Sequence, residues 1–157
     1  MNRVWTVFGT GAHARKAFHI AVLRGDRVAA FVDEQPDAQA PVPGVPVLSA
    51  LRLAAMPPGD LFVAIGRPDV RRRLMDEASA RSWRLPPLVH PSASVAPDAV
   101  LGDGVMVAAG AVVESGTHIG RGCIVDIGVL IDHDCVVAEF THLRAGQVCA
   151  PGTRWPA

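Results

Sequence analysis

The residues best suited to chemistry in this sequence lie in the stretch GVLIDHDCVVAEFTHL, residues 128–143. His133 stands between Asp132 and Asp134, and His142 follows nine residues later. Imidazole titrates near neutral pH and can take a proton from an attacking nucleophile, while a neighbouring carboxylate can fix its tautomer and stabilise the imidazolium. The pattern therefore favours a general base at His133, with a passive surface histidine as the alternative.

The segment GTGAHA, residues 9–14, is a second candidate site, because it fits the G-x-G-x-x-A pattern of nucleotide-binding turns. Glycines let the backbone approach a ligand, and the N-terminus of the following helix offers N–H groups to phosphate. Asp33 lies 19 residues after Ala14, near the position of a ribose-binding acid. The segment admits three interpretations: a nucleotide-sugar site, a dinucleotide site or a purely structural turn.

Residues 1–88 alternate strand-like and helix-like stretches. Strands are predicted at 3–8, 27–32 and 61–65 and helices at 12–24, 49–56 and 68–81, with a proline-rich loop over 34–47. This alternation predicts a small Rossmann-like α/β domain with a parallel sheet. Because a full dinucleotide fold needs two such halves, one nucleoside with its pyrophosphate fits the domain better, and we favour the nucleotide-sugar interpretation.

Residues 89–157 follow a six-residue period. Nine successive aliphatic residues keep this spacing: Val95, Leu101, Val107, Val113, Ile119, Val125, Ile131, Val137 and Leu143. A strand repeats every two residues and a helix every 3.6, so neither explains the pattern. A hexapeptide repeat predicts a parallel β-helix, in which three six-residue faces close one coil and glycines suit the corners. The alternative is a β-sandwich with regular turns.

The composition limits the classes of partner. The 157 residues carry 15 basic and 15 acidic side chains, which argues against a nucleic-acid or anionic-membrane surface as the main partner. The chain lacks an apolar run of membrane-spanning length, and its start lacks a signal-peptide core, so we expect a cytoplasmic protein. The three cysteines form no C-x-x-C pair and are interpreted as small core residues, with no metal expected.

Five segments, in this order and spacing, resemble the NeuD/PglD-type sugar acyltransferases. The segments are GTGAHA (9–14), FVDE (31–34), AIGRPDVRRRL (64–74), LVHPSASV (88–95) and IDHDCVVAEFTHL (131–143). The resemblance implies a nucleotide-sugar-binding domain over residues 1–88. It also implies a left-handed β-helix acyltransferase domain over residues 89–157, which is shorter than in other members.

The family pattern also implies roles for individual residues. His133 matches the catalytic base, and Asp134 matches an acidic position that raises the basicity of that histidine. Residues expected to contact the nucleotide sugar are Gly11, Ala12, His13, Asp33, Glu34, Gly66 and Arg71. For Arg71 an ordinary solvated helix charge is the alternative. His142 and Gly152 match positions expected to contact acetyl-CoA, although His142 also fits an incidental surface histidine.

The activity implied by the resemblance is acetyl transfer from acetyl-CoA to a nucleotide-activated amino sugar, on nitrogen or oxygen, in surface glycan synthesis. The resemblance also implies a homotrimer in which the cofactor lies between neighbouring β-helices. Two departures bear on this expectation. Asp126-Ile127 replaces an Asn-Thr pair, and Pro151 replaces a glycine whose N–H holds the thioester carbonyl. Because the last coils of the family pattern are also missing, the alternative function is a nucleotide-sugar-binding protein with little or no acyltransferase activity.

Overall fold

The computed structural model describes residues 2–35 and 37–156. The chain divides into two compact units, Met1–Leu85 and Pro86–Ala157. The division falls slightly before the predicted domain boundary, because Leu88–Val89 already pairs with Met106–Val107 in the second unit. Residue 36, which belongs to the predicted proline-rich loop, lies outside the described residues.

The first unit is a four-stranded parallel sheet with three helices. In chain order its elements are β1 (Val4–Phe8), α1 (Ala12–Leu23), β2 (Arg27–Asp33), β3 (Val47–Ser49), α2 (Ala50–Ala55), β4 (Asp60–Val63) and α3 (Pro68–Ala80). All of these except β3 were predicted to within two residues. The β3 strand was missed because three residues after a proline-rich loop give no periodic signal, and its pairing with β2 is a tertiary contact.

The sheet has the strand order β3-β2-β1-β4. The chain therefore passes from β1 through β2 to β3 on one side of β1 and then crosses to β4 on the other. In open parallel sheets, ligands bind at the carboxyl ends of the strands where the direction of the connections reverses. Here that position lies between the turn after β1 and the loop after β4.

The core of the first unit consists mainly of the strands β1, β2 and β4, whose residues are mostly buried. All four residues of β4 and residues 5–8 of β1 are buried, as expected for a parallel sheet between helices. The helices α1 and α3 each contribute a buried stripe, and α2 contributes Leu53 alone. In α1 these residues are Ala14, Ala17, Ile20 and Ala21, and small side chains at three of the four positions let the helix pack closely on the sheet.

The second unit is a left-handed parallel β-helix. Twelve two-residue strands form three four-stranded parallel sheets, one strand per sheet in each coil. The first two coils contain β5 (Leu88–Val89), β6 (Ser94–Val95), β7 (Val100–Leu101), β8 (Met106–Val107), β9 (Val112–Val113) and β10 (His118–Ile119). The last two contain β11 (Ile124–Val125), β12 (Leu130–Ile131), β13 (Val136–Val137), β14 (His142–Leu143), β15 (Val148–Cys149) and β16 (Arg154–Trp155).

The six-residue period of the sequence is the spacing between successive strands of the coil. Each predicted aliphatic residue is the second residue of a strand, and the set lines a single interior cluster that includes Val107, Ile131 and Leu143. Strands on successive coils pair in parallel and in register, such as Ile124 with Met106. The hexapeptide prediction is therefore confirmed. The coil begins one face earlier than predicted, at β5.

The cysteines lie inside this prism. Cys123, Cys135 and Cys149 are free and fully buried. The thiols of Cys123 and Cys135 each donate to a backbone carbonyl further along the chain, those of Ala138 and Ala150 respectively. The interpretation of the cysteines as small core residues is thus confirmed. Within the described residues, no helix has the length and apolar character needed to cross a bilayer.

Candidate functional site

His133 and Asp134 form a hydrogen-bonded pair at an exposed corner of the β-helix, in the turn between β12 and β13. The Nδ1 atom of His133 lies 2.8 Å from Oδ2 of Asp134, and the imidazole is 57% exposed. Because a carboxylate can only accept, Nδ1 carries the hydrogen and Nε2 is the nitrogen that can take a proton. The hydrogen bond to Asp134, with the negative charges of Asp132 and Glu114, raises the pKa of His133 above its ordinary value.

Hydrogen bonds from both neighbouring coils fix the turn that carries the pair. From the coil before it, the Ser115 carbonyl accepts from the Asp134 N–H at 2.9 Å. From the coil after it, the Gly152 N–H donates to the His133 carbonyl at 2.9 Å. The His133 N–H donates to the side chain of Asp132 at 2.8 Å. The backbone of the turn is therefore held on both sides, and this limits the movement of His133.

The backbone conformation of Asp134 is unusual for a residue with a side chain. Along this unit a left-handed residue recurs every six positions, and glycine fills the position at 104, 110, 116, 122, 128, 146 and 152. Asp134, with φ 60°, and Phe140, with φ 61°, interrupt the series. This conformation costs about 1–2 kcal/mol for a residue with a Cβ, although aspartate tolerates it better than most. Strained residues of this kind often occur at functional sites.

His142 and Asp126 form a second histidine–carboxylate pair, which the sequence did not reveal. The Nε2 atom of His142 lies 3.4 Å from Oδ2 of Asp126, whose other carboxylate oxygen accepts from the Ile127 N–H at 2.8 Å. The Asp126 side chain is nearly buried and that of His142 is 26% exposed. Asp126 precedes β12 and His133 follows it. The two pairs therefore lie at opposite ends of one strand.

The residues one coil above His133 offer few backbone donors. Pro151, at the corresponding position of that coil, has no N–H. The N–H of Gly152, which was predicted to contact acetyl-CoA, is already donated to the His133 carbonyl. A contact between Gly152 and the cofactor would therefore involve atoms of Gly152 other than its N–H. In this structure Gly152 supports the backbone of the turn that carries His133.

The two glycines of the turn after β1 have different structural roles. Gly9 has a φ of 107°, and a Cβ there would lie 2.9 Å from Cδ1 of Ile65 and 3.1 Å from the Ala64 carbonyl oxygen. Gly9 is therefore required by the fold. Gly11 has an ordinary φ, and beyond its own chain neighbours no described atom lies within 4 Å of a Cβ built on it. The fold does not require glycine at this position, so its absent side chain leaves space for a ligand.

Gly11 is also the N-cap of α1, and no side chain among the described residues caps that helix. The first helical residues, Ala12 and His13, therefore present their backbone N–H groups at the carboxyl end of β1. The ring of His13 lies against Gly66 in the loop after β4, 3.4 Å from a Cβ built there. The predicted residues 11, 12, 13 and 66 are thus brought together at the switch point of the sheet.

Arg71 supports the loop after β4 from inside. Its side chain is 1% exposed, and Nη1 donates to the Ile65 carbonyl at 2.6 Å and the Gly66 carbonyl at 2.9 Å. The alternative of a solvated helix charge is wrong, because a buried guanidinium that bonds two carbonyls is part of the loop structure. The contact between Arg71 and the substrate stays a prediction.

Asp33 and Glu34 lie at the carboxyl end of β2, next to the turn after β1. The Thr10 hydroxyl donates to Asp33 Oδ2 at 2.7 Å, which ties the two strand ends together. Glu34 is half-exposed and accepts from Arg73 at 3.0 and 3.1 Å through its two oxygens. A ligand that contacts Glu34 therefore meets an ion pair and not an isolated carboxylate.

No cluster of three or more histidine, cysteine, aspartate or glutamate side chains with metal-binding geometry occurs in residues 2–35 and 37–156. Sequence reasoning missed Ser115, Gly116 and Thr117, which contact the turn of His133 and Asp134, and it missed the pairing of Asp126 with His142. A signal for Gly116 was present, since it lies one full coil before Asp134 in a chain of fixed coil length. Asp126 was singled out as a departure from the family pattern, but its partner on the following coil could not be read from spacing.

Comparisons with known proteins agree with this architecture. The family described as the PglD N-terminal domain matches residues 6–78. The acetyltransferase domain of PglB from Neisseria gonorrhoeae, in complex with acetyl coenzyme A, is 34% identical with a TM-score of 0.89. The match covers 98% of this chain and 76% of that one.

Two further solved structures are similar. A single-residue variant of perosamine N-acetyltransferase from Caulobacter crescentus, in complex with CoA and GDP-perosamine, is 33% identical with a TM-score of 0.86. The match covers 96% of this chain and 72% of that one. WeeI from Acinetobacter baumannii is 18% identical with a TM-score of 0.73, covering 93% of this chain and 71% of that one, which shows a shared fold.

The small α/β unit, the hexapeptide β-helix and these similarities define the class as a parallel β-helix acyltransferase. The identity to the two sugar acetyltransferases is 34% and 33% over nearly the whole chain. The chain therefore belongs to the NeuD/PglD-type sugar acyltransferase family, as the sequence motifs predicted.

Proposed function

We propose that this protein transfers the acetyl group of acetyl-CoA to a nucleotide-activated amino sugar, on nitrogen or oxygen, with His133 as general base and Asp134 as its orienting acid. The observation that supports this proposal is the 2.8 Å hydrogen bond between His133 Nδ1 and Asp134 Oδ2 at an exposed corner of the β-helix. The acetylated nucleotide sugars made in this way would serve surface glycan synthesis.

The chemistry follows from the free nitrogen of His133. As the sugar amine or hydroxyl attacks the thioester carbonyl, Nε2 takes its proton and the Asp134 carboxylate stabilises the imidazolium. The tetrahedral intermediate then expels the CoA thiolate. The thiolate takes the proton from His133 and leaves as the free thiol. Removing a positioned base of this kind typically costs a factor of about 10²–10⁴ in rate.

The nucleotide sugar is assigned to the carboxyl edge of the first unit's sheet. Gly11 leaves open space, and the N–H groups at the start of α1 suit a pyrophosphate. Asp33 and Glu34 at the end of β2 would face the ribose or base, and Gly66 would form the opposite wall, with Arg71 behind it on the Gly66 carbonyl. The similarity to a structure that contains GDP-perosamine supports this class of ligand.

Acetyl-CoA is assigned to the β-helix, where His142 and Gly152 would contact it. The sheet formed by β6, β9, β12 and β15 carries apolar side chains on its outer face, with Leu130 44% and Val148 65% exposed. This face lies between the corner with His133 and the corner with Asp126. We propose that a neighbouring subunit packs against it in a homotrimer, so that each cofactor would lie between two β-helices.

The test is a thiol-release assay with acetyl-CoA and a panel of UDP-, GDP- and dTDP-linked 4-amino sugars. Turnover with at least one sugar is expected, with loss of about 10²–10⁴ in His133→Ala. His118→Ala is the matched control, because His118 is an exposed histidine on the neighbouring coil and has no proposed role. An equal loss in both variants, or none in either, would refute the assignment of His133.

A second candidate function is nucleotide-sugar binding without turnover. The observation that favours it is at the coil above the base, where Pro151 has no N–H and the Gly152 N–H is already used. An oxyanion donor is worth about 2.7–4 kcal/mol to the transition state. Calorimetry that detects nucleotide-sugar binding, together with no thiol release for any sugar, would select this function.

A further inference from the structure

We infer that Gly116, on the coil before His133, is a positioning residue that holds the Asp134 carboxylate against the imidazole. The inference rests on the proposed function of His133 and extends it to a residue that acts through Asp134. Gly116 and Asp134 occupy the same corner position on successive coils, with φ of 70° and 60°.

The contact between the two residues is steric. A Cβ built on Gly116 would overlap Oδ1 of Asp134 and would also lie 3.4 Å from its Cγ. The carboxylate therefore rests on the bare Cα of Gly116, while its other oxygen accepts from His133 Nδ1 at 2.8 Å. An alanine at 116 would have to displace that carboxylate, because backbone hydrogen bonds to the next coils hold the turn itself.

Neighbouring residues hold Gly116 in place. Asp98, one coil earlier, accepts from the Ser115 hydroxyl at 2.7 Å and from the Gly116 N–H at 3.0 Å. The buried Thr117 hydroxyl donates to the Asp132 carbonyl at 3.1 Å and accepts from the Cys135 N–H at 3.3 Å, so it spans the turn that contains His133. Gly116, against which the Asp134 carboxylate lies, is therefore held in place through both of its chain neighbours.

The chain contains a matched control. Gly110 occupies the same turn position at another corner, with φ of 66°, but beyond its own chain neighbours no described atom lies within 4 Å of a Cβ built on it. Gly110→Ala and Gly116→Ala therefore impose the same backbone strain. The overlap with Asp134 distinguishes the second variant from the first.

The experiment is an NMR titration of the histidine Cε1 protons in the full chain without substrate, with the His133 signal assigned from His133→Asn. In Gly116→Ala the pKa of His133 is expected to fall towards its usual value of about 6.5. Asp134→Asn should lower it likewise, and Gly110→Ala should leave it unchanged. In the thiol-release assay, kcat of Gly116→Ala should fall about tenfold to a hundredfold with KM for acetyl-CoA unchanged.

An unchanged His133 pKa in Gly116→Ala, or equal shifts in Gly116→Ala and Gly110→Ala, would overturn the inference. If Gly116→Ala does not fold, the double variant Gly116→Ala/Asp134→Gly decides, because removing the carboxylate removes the overlap. A folded double variant supports the inference, and an unfolded one overturns it. Absence of acetyl transfer in the wild type would refute the proposed function. The titration would remain interpretable, because it needs no substrate.

Discussion

His142 contacts Asp126 with Nε2 3.4 Å from Oδ2, across two successive coils of the β-helix. The aspartate also accepts from the Ile127 N–H, so its carboxylate is fixed before it meets the imidazole. This arrangement holds the His142 ring in one orientation at the outer end of β14. If His142 contacts acetyl-CoA, the affinity of the protein for the cofactor depends also on Asp126, although Asp126 need not contact the cofactor.

Asp126→Ala is therefore expected to weaken acetyl-CoA binding by about tenfold, through loss of a hydrogen bond to a charged group. Calorimetric titration of acetyl-CoA gives the measurement. Asp103→Ala is the control, since Asp103 is an exposed aspartate at a turn of an earlier coil. Equal affinities in wild type and Asp126→Ala would show that the pair has no part in cofactor binding.

The pH dependence of acetyl transfer should report the state of His133. The base must be unprotonated, so kcat/KM is expected to fall as the pH drops through the raised pKa of His133. In Asp134→Asn the stabilisation of the imidazolium is lost and the pKa falls, which should move the acid limb of the profile to lower pH. An acid limb at the same pH in both proteins would contradict the role of Asp134.

Gly9 and Gly11 are expected to respond differently to alanine. Gly9→Ala should destabilise the protein by about 2 kcal/mol or more, because a Cβ meets Ile65 and Ala64 and the positive φ is strained. Gly11→Ala should leave the Tm nearly unchanged and weaken nucleotide-sugar binding, because its Cβ would occupy the open space next to α1. Thermal melts and calorimetry separate the two effects. Unchanged binding by Gly11→Ala would exclude the ligand from this turn.

Arg71 and Arg72 provide a contrast of buried and exposed arginines on α3. Arg71→Ala removes the buried guanidinium that donates to the Ile65 and Gly66 carbonyls, which should cost about 2–4 kcal/mol. Arg72→Ala, at an exposed position, should change stability by less than about 0.5 kcal/mol. Urea denaturation, monitored by tryptophan fluorescence, measures the free energy of unfolding of both variants. A small loss in Arg71→Ala would mean that the loop holds its shape without the guanidinium.

The apolar face of the β6, β9, β12 and β15 sheet should control assembly. Val148→Asp places a charge at its most exposed apolar position, and burying that charge between subunits would be unfavourable. The expected result is a smaller species in sedimentation or light scattering, with loss of acetyl transfer. Val100→Asp is the matched control, since Val100 is 50% exposed on a different sheet. Trimers of Val148→Asp, or disruption by Val100→Asp, would assign the interface elsewhere.

The architecture was largely predictable because its signals are local. A strict six-residue period admits one arrangement of inward side chains, so residues such as Val107 and Ile131 were placed in the interior from spacing. The helices of the first unit followed from their own periodicity and from Pro68 at the first turn of α3. The β3 strand escaped prediction because three residues do not form a pattern.

The candidate site was predictable as a set of residues but not as an arrangement. The sequence by itself determined that His133 lies between two aspartates at a position outside the aliphatic register, and that glycines precede α1. The tertiary structure decided that Asp134 takes a left-handed conformation over Gly116, that Asp126 meets His142, and that Arg71 turns inward to Gly66. The reason is physical: a local pattern fixes which way a side chain points, whereas contacts between residues on different coils arise only when the coils stack.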